Sequence, residues 1–242
     1  MMKEQFKFDT ASYTAAGRRG KNEDSHALLA EAGRVLALLA DGVGGCMGGE
    51  LASGRLIESL RVSLEDADFS EETLEDAIFE ANHAVLQLGG GPDGPKSTLA
   101  MLWLCGEEGF AANVGDSRIY QFRDGAILFQ SEDHSVPQLA VRAGEIRPEE
   151  IREHKHRNMI TRCIGREEYV SANIERLSLR AGDRFLLCSD GFWEPVLESD
   201  MLRAAAMEPT AEGWLERMKK IAYANENDNH TAIALLVSEE ER

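Results

Sequence analysis

Along this chain the apolar positions repeat with two periods, and the switch between them predicts the elements. Continuous apolar runs bounded by turn residues occur at 35–40, 97–104, 110–114, 185–188 and 232–237. Runs of this length and composition read as strands covered on both faces. Weaker strand signals lie at 3–11, 27–30 and 174–179, the last before a turn at 180–183. Residues 119–122 and 127–129 flank Arg123-Asp124-Gly125-Ala126. Alternating runs around Asp-Gly predict an antiparallel hairpin, with Asp124 confined to its turn.

Elsewhere the spacing is three to four. Ala52, Leu56 and Leu60 share one face of a helix expected over 50–60. A second helix is capped by Ser70, carries Glu71 and Glu72 at its positive end, repeats Leu74, Ala77, Ile78, Ala81, Val85 and Leu88, and stops at Gly89-Gly90-Gly91-Pro92. A later pair is expected at 199–206 and 210–224, with Trp214, Met218 and Ile221 as core positions. Between the hairpin and that pair, 132–158 is charged and bears His134, His154 and His156, with short helices expected at 136–143 and 148–152. Few apolar anchors make it the best candidate for a mobile flap. The order is strand, helix pair, several strands, helix pair, strand, without strict alternation. It predicts an α+β fold, a four-layer α-β-β-α sandwich of two mainly antiparallel sheets flanked by helix pairs, in one domain over 1–242.

Composition narrows the function. The 242 residues are 43% hydrophobic, enough for a substantial core. Their 43 acidic against 26 basic residues give a formal charge of −17, which disfavours nucleic acid and anionic membranes as partners. Cys46, Cys105, Cys163 and Cys188 are widely spaced, without the pattern of a zinc site, and read as reduced thiols. No apolar leader opens the chain and no run is long enough to span a membrane, so a cytoplasmic protein is expected.

The charge has a second use. Asp41-Gly42-Val43-Gly44-Gly45 follows the 35–40 run, and Asp116, Asp190 and Asp228 also fall at strand ends, with Glu23 and Asp24 between strands. A lone Asp-Gly is an ordinary turn. Several acids at one edge of a sandwich make a better ligand set for hard cations such as Mg2+ or Mn2+ than for zinc. Two such ions sharing Asp41 can activate a water for in-line attack on phosphorus, with Arg18 or Arg19 as the phosphate fork.

The blocks Gly17 to Asp24, Ala40 to Gly45, Lys96-Ser97-Thr98-Leu99, Asn113-Val114-Gly115-Asp116-Ser117-Arg118, Glu132-Asp133-His134-Ser135, Ile160-Thr161-Arg162-Cys163-Ile164-Gly165, Cys188-Ser189-Asp190-Gly191 and Asp228-Asn229-His230-Thr231 run in order over essentially the whole chain. In this set the chain resembles the metal-dependent protein phosphatases of type 2C in their compact bacterial form. The resemblance implies hydrolysis of phosphoserine and phosphothreonine on proteins without a covalent phosphoenzyme. It implies that Asp41 bridges two Mn2+ or Mg2+ ions, that the Gly42 carbonyl ligates one, and that Asp190 and Asp228 ligate the other. Glu23 and Asp24 would hold the ions' waters, Asp116 a third, looser ion, and Arg19 the phosphate. It also implies phosphoprotein substrates, an opposing Ser/Thr kinase and a monomeric phosphatase.

Animal members carry a His two residues after the bridging Asp, where this chain has Val43. The resemblance therefore assigns no proton donor. A non-catalytic sensor or adaptor would be marked by loss of a ligand acid, and none is lost. A nucleotide loop at 42–49 lacks the P-loop pattern and its lysine.

Overall fold

The computed structural model describes residues 6–31, 33–43, 48–224 and 227–239. Gly44 and Gly45 of the glycine loop, Cys46, the first residues of the 3–11 strand and residues 240–242 lie outside them. Among the described residues, ten strands form two five-stranded sheets. One has the order β1 (Phe6–Ala15), β10 (His230–Glu239), β9 (Arg184–Cys188), β6 (Arg118–Arg123), β7 (Ala126–Gln130). The other runs β2 (Asp24–Glu31), β3 (Arg34–Asp41), β4 (Leu99–Cys105), β5 (Glu108–Val114), β8 (Asn173–Ser178). The neighbouring strands pair antiparallel throughout both sheets.

The expected four layers are present. In β3, Val35, Ala37 and Leu39 point into the core between the sheets, against Phe185, Leu187, Ile233 and Leu235. Leu36, Leu38 and Ala40 point the other way, onto Leu56, Leu60, Leu74 and Ile78. Those residues belong to α1 (Gly49–Leu64) and α2 (Glu71–Leu86), so a strand apolar on both sides is sandwiched between a sheet and a helix pair. The Ser70 side chain caps α2 by accepting from the Thr73 N–H at 3.1 Å. Tyr120, Phe122, Leu186 and Ala234 face the opposite layer, where Met201, Trp214, Leu215 and Met218 come from α5 (Glu198–Met207) and α6 (Ala211–Tyr223). The β6–β7 turn places Asp124 at φ 52° and Gly125 at φ 76°, the two left-handed residues of a type I′ hairpin.

Three local expectations change. Asp24 is the first residue of β2 and not part of the preceding loop, because β2 pairs with β3 as far as Asp24 opposite Asp41. Asp190 opens a four-residue helix, α4 (Asp190–Trp193), whose first turn continues straight from β9. The flap contains α3 (Val136–Arg142) and a 3-10 turn over Pro148–Glu153, and Ile151 in that turn is buried in the core of the α5–α6 layer. Its apolar anchors there are Ile151 and the partly buried Val141, too few to stand out in the sequence. Among the described residues no helix is long and apolar enough to cross a membrane.

Candidate active site

Antiparallel pairing brings the chemistry to one end of the sandwich. The end of β3 and the start of β2 lie side by side, so Asp41 and Asp24 are directly opposite. The end of β9, the start of β10 and the β5–β6 turn deliver Asp190, Asp228 and Asp116 to the same end. A cleft of about 150 Å3 opens there. Arg19, Glu23, Asp41, Gly42, Asp116, Asp190 and Asp228 all line it. Of the eight residues singled out from the sequence, Asp24 alone is not on its wall; it is buried beside Asp41. Arg18 is exposed and does not line the cleft.

Each acid is held by its backbone. The Asp41 N–H donates to Thr98 Oγ1 at 3.0 Å, and its carbonyl accepts from the Thr98 N–H at 2.8 Å and the Ser97 hydroxyl at 2.9 Å. Gly42 follows because nothing larger fits: a Cβ there would lie 2.4 Å from the Gly49 carbonyl carbon and 2.7 Å from the Glu23 carbonyl oxygen. Gly191 is equally constrained, with Asn229 O 2.1 Å from where its Cβ would be. Asn229 ties the Arg19 loop to β10 by donating to Ala16 O and Lys21 O, at 2.9 and 2.8 Å, and accepting from the Glu23 N–H at 2.9 Å. The Trp193 indole N–H donates to the Asp116 carbonyl at 2.9 Å. Arg118 stacks over that indole, 3.5 Å from the ring centroid, and is paired with Asp133 through two buried hydrogen bonds of 2.9 and 2.7 Å.

Sequence reasoning missed several of these supports. Ser189 and Thr231 both donate to Asp24 Oδ2, at 2.9 and 2.6 Å, and Asn158 reaches the cleft wall from the flap. Ser189, Asn229 and Thr231 do sit inside the sequence blocks that carry the resemblance. Their partners, up to 213 positions away, leave no local pattern.

The electrostatics are those of crowded acids. Burial, with Asp228 as the main repulsive neighbour, pushes the Asp24 carboxyl up to about 6 even against the hydrogen bonds from Thr231 and Ser189. Burial and then Asp228, Glu194 and Asp24 push Asp190 up to about 7. Asp41 is raised well above the usual carboxylate range by burial, then by Asp24, Asp190, Asp116 and Asp228. Asp116 is raised likewise, by burial and then by Asp190 and Asp133. Cations in the cleft would relieve this repulsion.

Among the described residues no three acidic, imidazole or thiol groups form a closed metal cage; the acids ring a cleft instead of meeting at a point. The donors nevertheless fit hard cations. They are oxygen atoms, Gly42 leaves its backbone bare at the cleft, and Asp24 Oδ1 is buried without a hydrogen-bond partner among the described residues. Arg19 Nη2 lies 2.5 Å from Asp228 Oδ2 at the rim.

Known proteins share this sequence and shape. A family profile, Protein phosphatase 2C, matches residues 15–230. The serine/threonine protein phosphatase PstP of Mycobacterium tuberculosis is 36% identical over 200 residues, 80% of this chain and 38% of that relative. The chain thus spans well under half the length of that curated relative. Protein phosphatase PhpP of Streptococcus pneumoniae is 30% identical over 193 residues, covering 76% of this chain and 78% of PhpP. The crystal structure of the PstP catalytic domain in complex with two manganese ions superposes with a TM-score of 0.83 at 31% identity, over 96% of this chain and 99% of that one.

Proposed function

The chain belongs to the protein phosphatase 2C family, and we propose that it hydrolyses phosphoserine and phosphothreonine on proteins at a binuclear Mn2+ or Mg2+ centre, without a covalent phosphoenzyme. The observation that carries this reading is the lining of one cleft by Arg19, Glu23, Asp41, Gly42, Asp116, Asp190 and Asp228.

Asp41, the Gly42 carbonyl, Asp190 and Asp228 would hold two ions, with Asp41 shared between them. Glu23 and Asp24 would hold their waters, and Asp116 a third, weaker ion. When bound, such ions supply charge neutralisation and a water of lowered pKa. Arg19 binds two phosphate oxygens through its fork and sets the phosphorus for in-line approach. Its pairing with Asp228 is half exposed and therefore weak, so the guanidinium changes partner at little cost. As the water oxygen bonds to phosphorus, the ester bond to the serine or threonine oxygen breaks, and that oxygen takes a proton. The attacking water loses one proton and the leaving oxygen gains one, so the step balances; Val43 has no proton to give and is not the carrier.

In this reading the chain works as one domain and as a monomer, in the cytoplasm, against a Ser/Thr kinase, with phosphoproteins and not nucleic acid as partners. Its charge of −17 supports the last point. The test is phosphate release from a phosphothreonine peptide with Mn2+ and with EDTA. We expect release with Mn2+, none with EDTA, and a loss of about a hundred- to a thousandfold in Asp41→Asn, the order that removing an electrostatic stabiliser costs. Release in EDTA, or an active Asp41→Asn protein, would refute the proposal.

A further inference from the structure

A second hollow, larger than the catalytic cleft, adjoins it. Its volume is about 630 Å3; Val43, Val85, Leu86, Ile160 and Cys163 line it with hydrocarbon, and Lys96, Arg166 and Glu167 add charged groups to its wall. Val43 and Ile160 line both spaces, so the hollow continues the cleft along the surface.

Its walls are built with unusual care for a surface depression. Asn82 of α2 is fully buried and directs its side chain at the far wall. Its Oδ1 accepts from the Gly165 N–H at 2.8 Å, and its Nδ2 donates to Glu167 O and Glu168 O at 2.9 and 3.2 Å. Gly165 is in the left-handed region at φ 82°, and a Cβ there would sit 2.6 Å from Val85 Cγ1 and 2.7 Å from Pro95 O. On the near side the Val43 N–H donates to Lys96 O at 3.0 Å. The next residue, Ser97, exchanges backbone hydrogen bonds of 3.2 and 2.8 Å with Ile164. The two walls and the cleft floor are therefore one hydrogen-bonded unit, and the groove is preformed.

Resting on the phosphatase reading of the adjoining cleft, we infer that this groove is a specificity subsite that receives an apolar side chain flanking the phosphorylated serine or threonine of the substrate. Continuity decides the occupant. A peptide whose phosphate lies at Arg19 and Asp41 must continue past Val43 and Ile160 or away from them, and an extended chain advances about 3.3 Å per residue. A residue within about three positions of the phosphoresidue then reaches the groove. The hydrocarbon of Val43, Val85, Leu86 and Ile160 there rewards Leu, Ile, Val or Met. The substrates selected are phosphopeptides with an apolar residue on one side.

The experiment compares phosphothreonine peptides that carry Leu or Ser at each position from three before to three after the phosphothreonine, with p-nitrophenyl phosphate as an ester too small to enter the groove. With Mn2+, Leu at one or two adjacent positions on one side raises kcat/KM about tenfold over Ser, the scale on which apolar pockets discriminate. Leu86→Glu abolishes that preference and leaves p-nitrophenyl phosphate turnover unchanged. Leu86 is a half-buried groove residue that lies outside the α1–α2 core cluster, so a charge there is tolerated. As a check on the unaltered protein, a non-hydrolysable phosphonate peptide with photo-leucine at the preferred position cross-links to the segment 85–91 or 160–167. No Mn2+-dependent turnover of p-nitrophenyl phosphate would overturn the phosphatase reading and the groove with it. Turnover without an apolar preference, a preference that survives Leu86→Glu, or a cross-link elsewhere would overturn the groove alone.

Discussion

Arg19 and Asp228 meet at the rim of the cleft through a 2.5 Å ion pair between Nη2 and Oδ2. One is the proposed phosphate fork and the other a proposed metal ligand, so the two functions compete for the same carboxylate oxygen. A substrate phosphate would draw Arg19 away, and a cation would hold Asp228. Arg19→Ala should lower kcat/KM on a phosphopeptide by roughly 10- to 100-fold, the worth of charge-assisted hydrogen bonds. Its Mn2+ affinity should be unchanged or tighter. Asp228→Asn should weaken Mn2+ binding by at least roughly tenfold, since even outer-shell partners are worth that much. Calorimetric titration with Mn2+ beside steady-state kinetics separates the two. Weaker metal binding in Arg19→Ala would contradict the assignment.

The crowded carboxylates make a prediction about pH. Asp190 is pushed up to about 7 and Asp24 up to about 6 from an ordinary value of 3.8, and Asp41 and Asp116 are raised as well. A carboxyl with a raised folded-state value binds more protons folded than unfolded. Its contribution to stability is therefore complete below about 4 and is lost as pH rises through about 6 to 7. Metal-free protein in EDTA should melt at a lower temperature at pH 8 than at pH 5.5. Asp190→Asn should raise the metal-free melting temperature at pH 8, and Mn2+ should stabilise more at pH 8 than at pH 5.5 because it replaces the missing protons. Scanning calorimetry at the two pH values decides. A metal-free protein equally stable at both would show that these acids do not repel one another as placed.

The layers were legible because their signals are local. Six apolar residues in a row at 35–40, closed by a glycine turn, read as a strand covered twice, and Asp124-Gly125 between alternating runs reads as a tight turn. The acids at the site were legible for the same reason, as each follows or precedes an apolar strand. What fixes them was not. Asn229 works by gripping Ala16 and Lys21, Trp193 by holding the Asp116 carbonyl, and Thr231 by bonding Asp24. Each partner is distant in sequence and each residue type is common in loops. The sequence places Asp24 between strands because the first apolar residue of β2 comes only at Ala27; strand pairing to Asp41, not hydrophobicity, extends β2 to Asp24.

Gly42 offers a test of the backbone itself. A Cβ at that position would overlap the Gly49 carbonyl and the Glu23 carbonyl oxygen, and both are main-chain atoms that cannot swing aside. Gly42→Ala should cost about 1–3 kcal/mol of stability, the range for overpacking. Because Gly42 adjoins Asp41 and donates its N–H to the Glu23 carbonyl at 3.1 Å, the shift should also weaken Mn2+ binding. Denaturant melts and Mn2+ titration of Gly42→Ala provide the measurement; wild-type values in both would mean that the close approach is not needed.

The last prediction concerns the buried pair behind the cleft. Arg118 and Asp133 are each about 2% exposed and meet through two hydrogen bonds, with the Arg118 guanidinium lying on the Trp193 ring. Removing one partner strands the other charge, so Asp133→Ala should destabilise by about 3–5 kcal/mol. The double variant Arg118→Met with Asp133→Leu removes both charges of the pair, and Glu198, which also faces Arg118 at 3.5 Å, keeps its hydrogen bonds from Arg152 and Tyr120, so most of that loss should be recovered. Activity should not recover with it. Trp193 holds the Asp116 carbonyl, and without the guanidinium above its ring the indole is less firmly placed. The double variant should need more Mn2+ for half-maximal rate while melting close to wild type. Trp193→Phe, which removes the indole N–H together with part of the ring, should show the same metal requirement, with a loss of stability from the cavity it leaves. If the double variant matches wild type in both melting and Mn2+ requirement, the pair contributes packing alone. If it recovers neither, the charge pair itself is what the core requires at this position.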